Sequence, residues 1–152
     1  GSVLGSDGFG YQVHGGTHHK IWHFGGLRIG DNVEVGSNSC IDGGTFSPTI
    51  IEKGCKIDNQ VQIGHNCHLG ESVVLCGQVA IGGSSKIGAH TVFGGKAGAG
   101  HDIELAPQVE VGGGAMVNSS WREKCQLGGH PARPLKEWLR GLAFLRKESL
   151  KK

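Results

Sequence analysis

Twelve residues stand six apart without a break: Ile51, Ile57, Ile63, Leu69, Leu75, Ile81, Ile87, Phe93, Ala99, Leu105, Val111 and Val117. All are aliphatic or aromatic, with Ala99 the smallest. Ile29, Val35 and Ile41 keep the same step upstream, before a jump of ten residues resets the phase. Gly or another small or polar residue follows most of them, as at Gly64, Gly70, Gly82, Gly88, Gly94 and Gly100. A step of six matches neither the helical period nor simple strand alternation. It reads as one short flat strand plus a corner. The aliphatic residue points into a narrow prism, and the small residue after it lets the chain turn. The residue four further on also faces inward, and those positions hold Cys55, Val61, Cys67, Val73, Val79, Ser85, Thr91, Ala97, Ile103, Val109 and Ala115. Three hexads close a triangular coil, and coils stack by backbone hydrogen bonds about 4.8 Å apart. The expected fold is all-β, a left-handed parallel β-helix followed by a C-terminal α-helix.

Composition fits this. The chain has 152 residues, 29 of them Gly, and only 18% are charged, as a corner-rich solenoid requires. The length suits one β-helical domain over residues 1–127 and a C-terminal extension over 128–152. No apolar run approaches the roughly 20 residues of a membrane span, so no integral membrane protein is expected. A formal charge of +2 gives no reason to expect a nucleic-acid partner. Five cysteines without a CxxC pair read as small core residues in a reducing, cytosolic compartment. Three stretches break the repeat: a Gly-, His- and aromatic-rich excursion at 6–26, a phase-resetting loop at 42–50, and GGHPARP at 128–134. From Pro134 onward, Leu135, Trp138, Leu139, Leu142, Leu145 and Leu150 form an apolar stripe. Lys136, Arg140, Arg146, Lys147, Lys151 and Lys152 supply the other face. This helix is expected to cap the open end of the solenoid, with its basic face available to an acidic partner.

Position sorts the nine histidines. His65 and His101 each follow a repeat aliphatic by two residues and lie 36 apart, two whole coils. They therefore share one edge of the prism, about 10 Å apart vertically. That is too far for mutual contact but a good span for a long substrate. His14, His18, His19, His23, His68, His90 and His130 follow no such pattern and read as surface residues. A zinc site like that of the γ-class carbonic anhydrases would need a third ligand where Ala106 stands, so no metal is expected.

Specific motifs accompany the repeat. They are GSDGFGY at 5–11, CID at 40–42, DNQVQIGHN at 58–66, the Gly100–His101 pair and the helical tail. Together they resemble the UDP-3-O-(3-hydroxyacyl)glucosamine N-acyltransferases of lipid A synthesis, in the family's order and over nearly the whole chain. The resemblance implies a cytoplasmic enzyme of Gram-negative bacteria. It would move a (3R)-3-hydroxyacyl group from acyl carrier protein to the 2-amino group of UDP-3-O-acylglucosamine. His65 would be the general base and Asp58 its carboxylate. Seven residues and a corner separate the two, so Asp58 is expected to serve the His65 of a neighbouring subunit. His101 would contact the acyl thioester or its phosphopantetheine arm, which arrives on the donor, so no cofactor is implied. Gln62, Asn66, Asp7, Phe9 and Tyr11 would bind substrate, and Gly77, Gly82, Gly83, Gly94 and Gly95 would line the thioester channel. Arg133, Lys136 and Arg140 would dock the acidic carrier protein. The assembly would be a homotrimer with clefts between subunits. Ala115 and Met116 stand where the family tunes acyl length, small residues admitting longer chains.

The sequence departs from the family in three places. The family's N-terminal uridine-binding domain is not in this sequence, so the chain is expected to be part of a longer protein. KIWHFGG (20–26) replaces a proline-containing stretch, and CIDGG (40–44) lacks the arginine that usually follows the aspartate. Both departures fall on the sugar-nucleotide contacts. Two other functions suit the hexads: an acetyl-CoA-dependent sugar N-acetyltransferase, or a non-catalytic trimeric scaffold.

Overall fold

The computed structural model describes residues 1–129 and 132–151; His130 and Lys152, assigned above to the surface and to the basic helix face, lie outside them. The expected left-handed parallel β-helix is what the chain forms. Its short strands build three parallel sheets of six, five and six strands, one on each side of the prism. From Ile51 to Val117 partners are 18 residues apart, as in the rungs Ile51, Leu69, Ile87, Leu105 and Ile57, Leu75, Phe93, Val111; across the phase reset they are 22 apart, as in Ile29–Ile51 and Ile41–Ile63. All twelve repeat aliphatics from Ile51 to Val117 are buried, as are all eleven residues expected to face inward from Cys55 to Ala115. Polar members of the inner column are satisfied across the coil. Ser85 Oγ donates to the Gly100 carbonyl, and Thr91 Oγ1 to that of Ala106. Burial pushes the Cys67 thiol up to about 11, which keeps it a core thiol and not a nucleophile.

The glycines after the aliphatics do a different job from the one expected. The chain turns at the residue two positions later, where a polar side chain adopts a left-handed backbone at every sixth position, as in Gln60, Asn66, Ser72, Gln78 and Ser84. The glycines instead allow coils to approach. A methyl group at Gly64 would lie 2.7 Å from the Gly83 backbone nitrogen, and one at Gly88 only 2.4 Å from the Ala106 carbonyl carbon. Neither spacing is open to a real side chain.

The excursion is ordered. Strand Val3–Asp7 pairs in parallel with Cys40–Gly43 and so extends the solenoid. Tyr11–His14 and Thr17–Lys20 then form an antiparallel hairpin, closed by Gly15 and Gly16 with φ of 56° and 77°. A two-residue turn with two positive φ values suits the twist of a hairpin and favours glycine. The segment returns to the solenoid where the Phe24 and Gly25 amides donate to the Thr45 carbonyl.

Helix Leu135–Ser149 buries none of its residues, so it does not cap the coil end within one chain. Trp138, Leu142 and Leu145 instead share an open groove with Gly129 and Ala132 of their own leading segment. Among the described residues, no helix is long and apolar enough to cross a membrane.

Phe93 is the largest fully buried side chain. Phe93→Ala is expected to cost about 3–5 kcal/mol, read as a lowered denaturant midpoint. An unchanged midpoint would mean that the prism collapses around the cavity.

Candidate active site

His65 stands directly after the glycine that follows Ile63, at a corner of the prism. Its backbone is tied to the next coil, since the Ser84 amide donates to the His65 carbonyl. Gly83 occupies the same corner one coil above, and the His65 ring lies over it. A methyl at Gly83 would meet Nε2 at 2.7 Å and Cε1 at 2.9 Å. Below, Gly8 closes on the ring's base, where a methyl would stand 2.6 Å from His65 Cβ.

The neighbouring Asn66 fixes the ring chemically. Asn66 Nδ2 donates to the Ser47 carbonyl at 2.9 Å, and Asn66 Oδ1 accepts from the Thr45 amide at 3.1 Å. A carbonyl can only accept and an amide N–H can only donate, so the Asn66 amide has one possible orientation. Its Oδ1 also meets His65 Nδ1 at 3.0 Å. His65 Nδ1 must therefore carry the hydrogen and donate. In the neutral ring the lone pair is then on Nε2, the atom lying over Gly83. This arrangement presents a base to the cleft.

That cleft has a volume of about 700 Å³ and gathers Asp7, Gly8, Phe9, Tyr11, Lys20, Asp42, Gln62, His65, Gly82, Gly83, His101 and Met116. The His65 and His101 ring centroids are 6.1 Å apart, which corrects the expectation that they stand too far apart to touch. The backbones keep two coil spacings, but nothing at Gly83 holds the rings apart. Asp7 and Lys20 form an ion pair of 2.7 Å, and the Lys20 ammonium lies 4.7 Å from the Trp22 ring centroid. The hydrogen bond from Lys20 holds the Asp7 carboxyl below its ordinary value. Phe9 and Tyr11 pack edge to face at 5.1 Å. Asp7, Phe9, Tyr11, Gln62 and His101 thus gather at one cleft, with Asn66 anchoring His65 from behind.

Asp58 is elsewhere. It is exposed, its Oδ1 accepts from the backbone and side-chain nitrogens of Asn59, and it lines a separate cleft with Gly77, Gly95 and Lys96. The glycines expected to line one channel divide the same way, Gly82 and Gly83 beside His65, Gly77 and Gly95 beside Asp58. Arg133, Lys136 and Arg140 are exposed on the extension, away from the His65 cleft.

Two residues of the His65 surroundings escaped the sequence reading. His23 is not a plain surface residue: its ring packs edge-on against His65 at 5.3 Å. Both its nitrogens are buried without a hydrogen-bond partner among the described residues. The hairpin brings it there, so no repeat spacing could signal it. Asp42 belongs to the CID stretch but carries no role of its own in the sequence reading, and its place directly after the repeat aliphatic Ile41 is one that Asp58 after Ile57 shares. Among the described residues, no three His, Cys, Asp or Glu side chains are grouped to hold a metal ion.

No family model matches the chain. It is 42% identical over 147 residues to the UDP-3-O-acylglucosamine N-acyltransferase of Janthinobacterium sp. (strain Marseille), covering 96% of this chain and 42% of that protein. It is 43% identical over 148 residues to the protein of the same name from Helicobacter hepaticus, covering 97% of this chain and 45% of that one. The chain thus spans less than half the length of these relatives. Among solved structures, LpxA from Acinetobacter baumannii superposes with a TM-score of 0.72 at 20% identity, over 93% of this chain and 54% of that one. At that identity the likeness speaks for the fold alone.

Gly83→Ala is expected to displace the His65 ring and lower turnover at least tenfold, while far-UV circular dichroism stays unchanged. Full turnover in this variant would mean that the ring has room the described contacts do not give it.

Proposed function

Because the chain belongs, over the length it spans, to the family of UDP-3-O-acylglucosamine N-acyltransferases, we propose that it carries the acyl-transfer site of such an enzyme, working in the cytoplasm. The observation that supports this most is the Asn66-fixed tautomer of His65, which leaves a free Nε2 lone pair at a cleft of about 700 Å³.

The 2-amino nitrogen of UDP-3-O-acylglucosamine attacks the thioester carbonyl of a (3R)-3-hydroxyacyl acyl carrier protein. His65 Nε2 takes the amine proton as the C–N bond forms. The tetrahedral intermediate collapses, the C–S bond breaks, and His65 returns the proton to the departing phosphopantetheine sulfur. Nδ1–H stays on Asn66 Oδ1 throughout, so the ring does not turn between the two transfers. His101, one ring away and exposed, meets the thioester or its arm. Asp7, Phe9, Tyr11 and Gln62 at the mouth hold the sugar nucleotide. Arg133, Lys136 and Arg140 offer three exposed cations to the acidic carrier. In a homotrimer, the exposed Asp58 edge of one chain would face the His65 edge of the next.

The acyl chain has a suitable floor. Gln62, Ala80, Gly98 and Met116 stack in register on the outer face of one sheet. The Met116 side chain folds down over Gly98, its Cε only 2.9 Å from where a methyl at Gly98 would be. Small apolar residues make a shallow track that Met116 closes.

Two tests follow. N-acyl transfer by the chain is expected to fall about 10²–10⁴-fold in His65→Ala; transfer that survives would remove His65 from the reaction. Met116→Ala is expected to move the preferred donor to longer acyl chains in a competition assay. An unchanged preference would mean that Met116 is not the end of the track.

A further inference from the structure

Resting on that reading, His65 has to keep one ring orientation through both proton transfers. Its bond to Asn66 Oδ1 fixes a single atom, Nδ1. The ring torsion of a histidine is intrinsically broad, so a hydrogen bond at one corner does not fix the plane. A ring turned through half a circle puts a carbon where Nδ1 stood, and Nε2 leaves its place over Gly83. The plane needs a wall.

His23 supplies it. Its ring meets that of His65 at 5.3 Å between centroids and 62° between planes, an edge-to-face contact. Gly8 is wedged beside both rings: a methyl there would stand 2.6 Å from His65 Cβ and 3.0 Å from His23 Nε2. Only a residue without a side chain lets the two rings meet. The other neighbouring ring, His101, is exposed, with its centroid at 6.1 Å, and Gly83 has no side chain to brace anything. Both His23 nitrogens are buried without a hydrogen-bond partner among the described residues. Its hold on His65 is therefore packing and not hydrogen bonding.

The wall is itself anchored. Before His23, the Ile21 amide donates to the Gly10 carbonyl at 2.9 Å; after it, the Phe24 amide donates to the Thr45 carbonyl at 2.8 Å. Thr45 is also the residue whose amide and hydroxyl donate to Asn66 Oδ1, at 3.1 and 3.0 Å. One residue of the phase-resetting loop thus ties down both groups that touch the ring, Asn66 at Nδ1 and His23 beside it. His23 comes from KIWHFGG, where the chain departs from the family's pattern, so the family resemblance assigns it no role.

We propose that His23 is a positioning residue of the transfer reaction, whose ring, packed edge to face with His65, holds the plane in which Asn66 keeps Nδ1–H and Nε2 stays free. His23→Ala removes the ring, and His23→Phe keeps a ring without the nitrogens. In His23→Ala, kcat is expected to fall about tenfold with KM within about twofold. His23→Phe is expected to restore most of kcat, with a melting temperature equal to or above that of the parent, because two unpaired polar atoms are gone. The decisive readout does not depend on turnover: in ¹⁵N NMR of the neutral His65 imidazole, Nδ1 and Nε2 should give well-separated shifts in the parent and in His23→Phe, and shifts drawn together in His23→Ala. Should His23→Ala fail to fold, His23→Leu, apolar and without a flat ring, takes its place. Well-separated shifts in the ringless variant overturn the proposal, even if activity drops, and so do shifts drawn together in His23→Phe. Shifts that follow the ring in a chain whose transfer survives His65→Ala would uphold the contact and defeat the acyl-transfer reading instead.

Discussion

Each coil hydrogen-bonds to the next through its backbone, and that ladder repeats every 18 residues. This one constraint organises the molecule. From residue 51 to residue 117 it forces identical corners to stack, so whatever stands at one corner meets the residue 18 further on. His65, Gly83 and His101 are such a set. The same stacking demands glycine wherever two coils touch backbone to backbone. The long aliphatic column fills the prism, but it is the coil-to-coil approach that leaves room beside each corner. The active-site candidate occupies such a space, with a ring lying over a glycine that has no side chain to exclude it.

The site adds a second layer built from outside the repeat. The excursion before residue 27 and the phase-resetting loop at 42–50 supply what a regular solenoid cannot. Thr45 and Ser47 from that loop orient Asn66, and Asn66 orients His65. Gly8, at the end of the first strand, and His23, just past the hairpin, close on the ring from the opposite side. The rigid ladder gives position, and the irregular segments give chemistry. Breaks in a repeat therefore mark where function is built.

This division also explains what could be read from the sequence. The inward columns and their phase were legible because burial in a narrow prism admits few alternatives at each position. The stacking of His65 with His101 was legible for the same reason. The approach of their rings was not, since it depends on Gly83 as an absent side chain and not on backbone spacing. His23 was invisible because hairpin closure, and no period, delivers it. Asp42 and Asp58 occupy the same place in the hexad, and only the register of the first coils shows which of them shares the cleft with His65. The helix stripe was plain, yet its partner was not, because amphipathicity states that a face will be covered without stating by what.

The chemistry of the site turns on Asn66, which holds the hydrogen on His65 Nδ1 and leaves Nε2 free in the cleft. Long-range ¹H–¹⁵N NMR on the selectively labelled imidazole, recorded at a pH where the ring is neutral, tests it directly. A protonated Nδ1 and an unprotonated Nε2 are expected, with the distinction weakened in Asn66→Ala. A ring carrying its hydrogen on Nε2 would contradict the assignment of His65 as the base, and the mechanism built on it would fall.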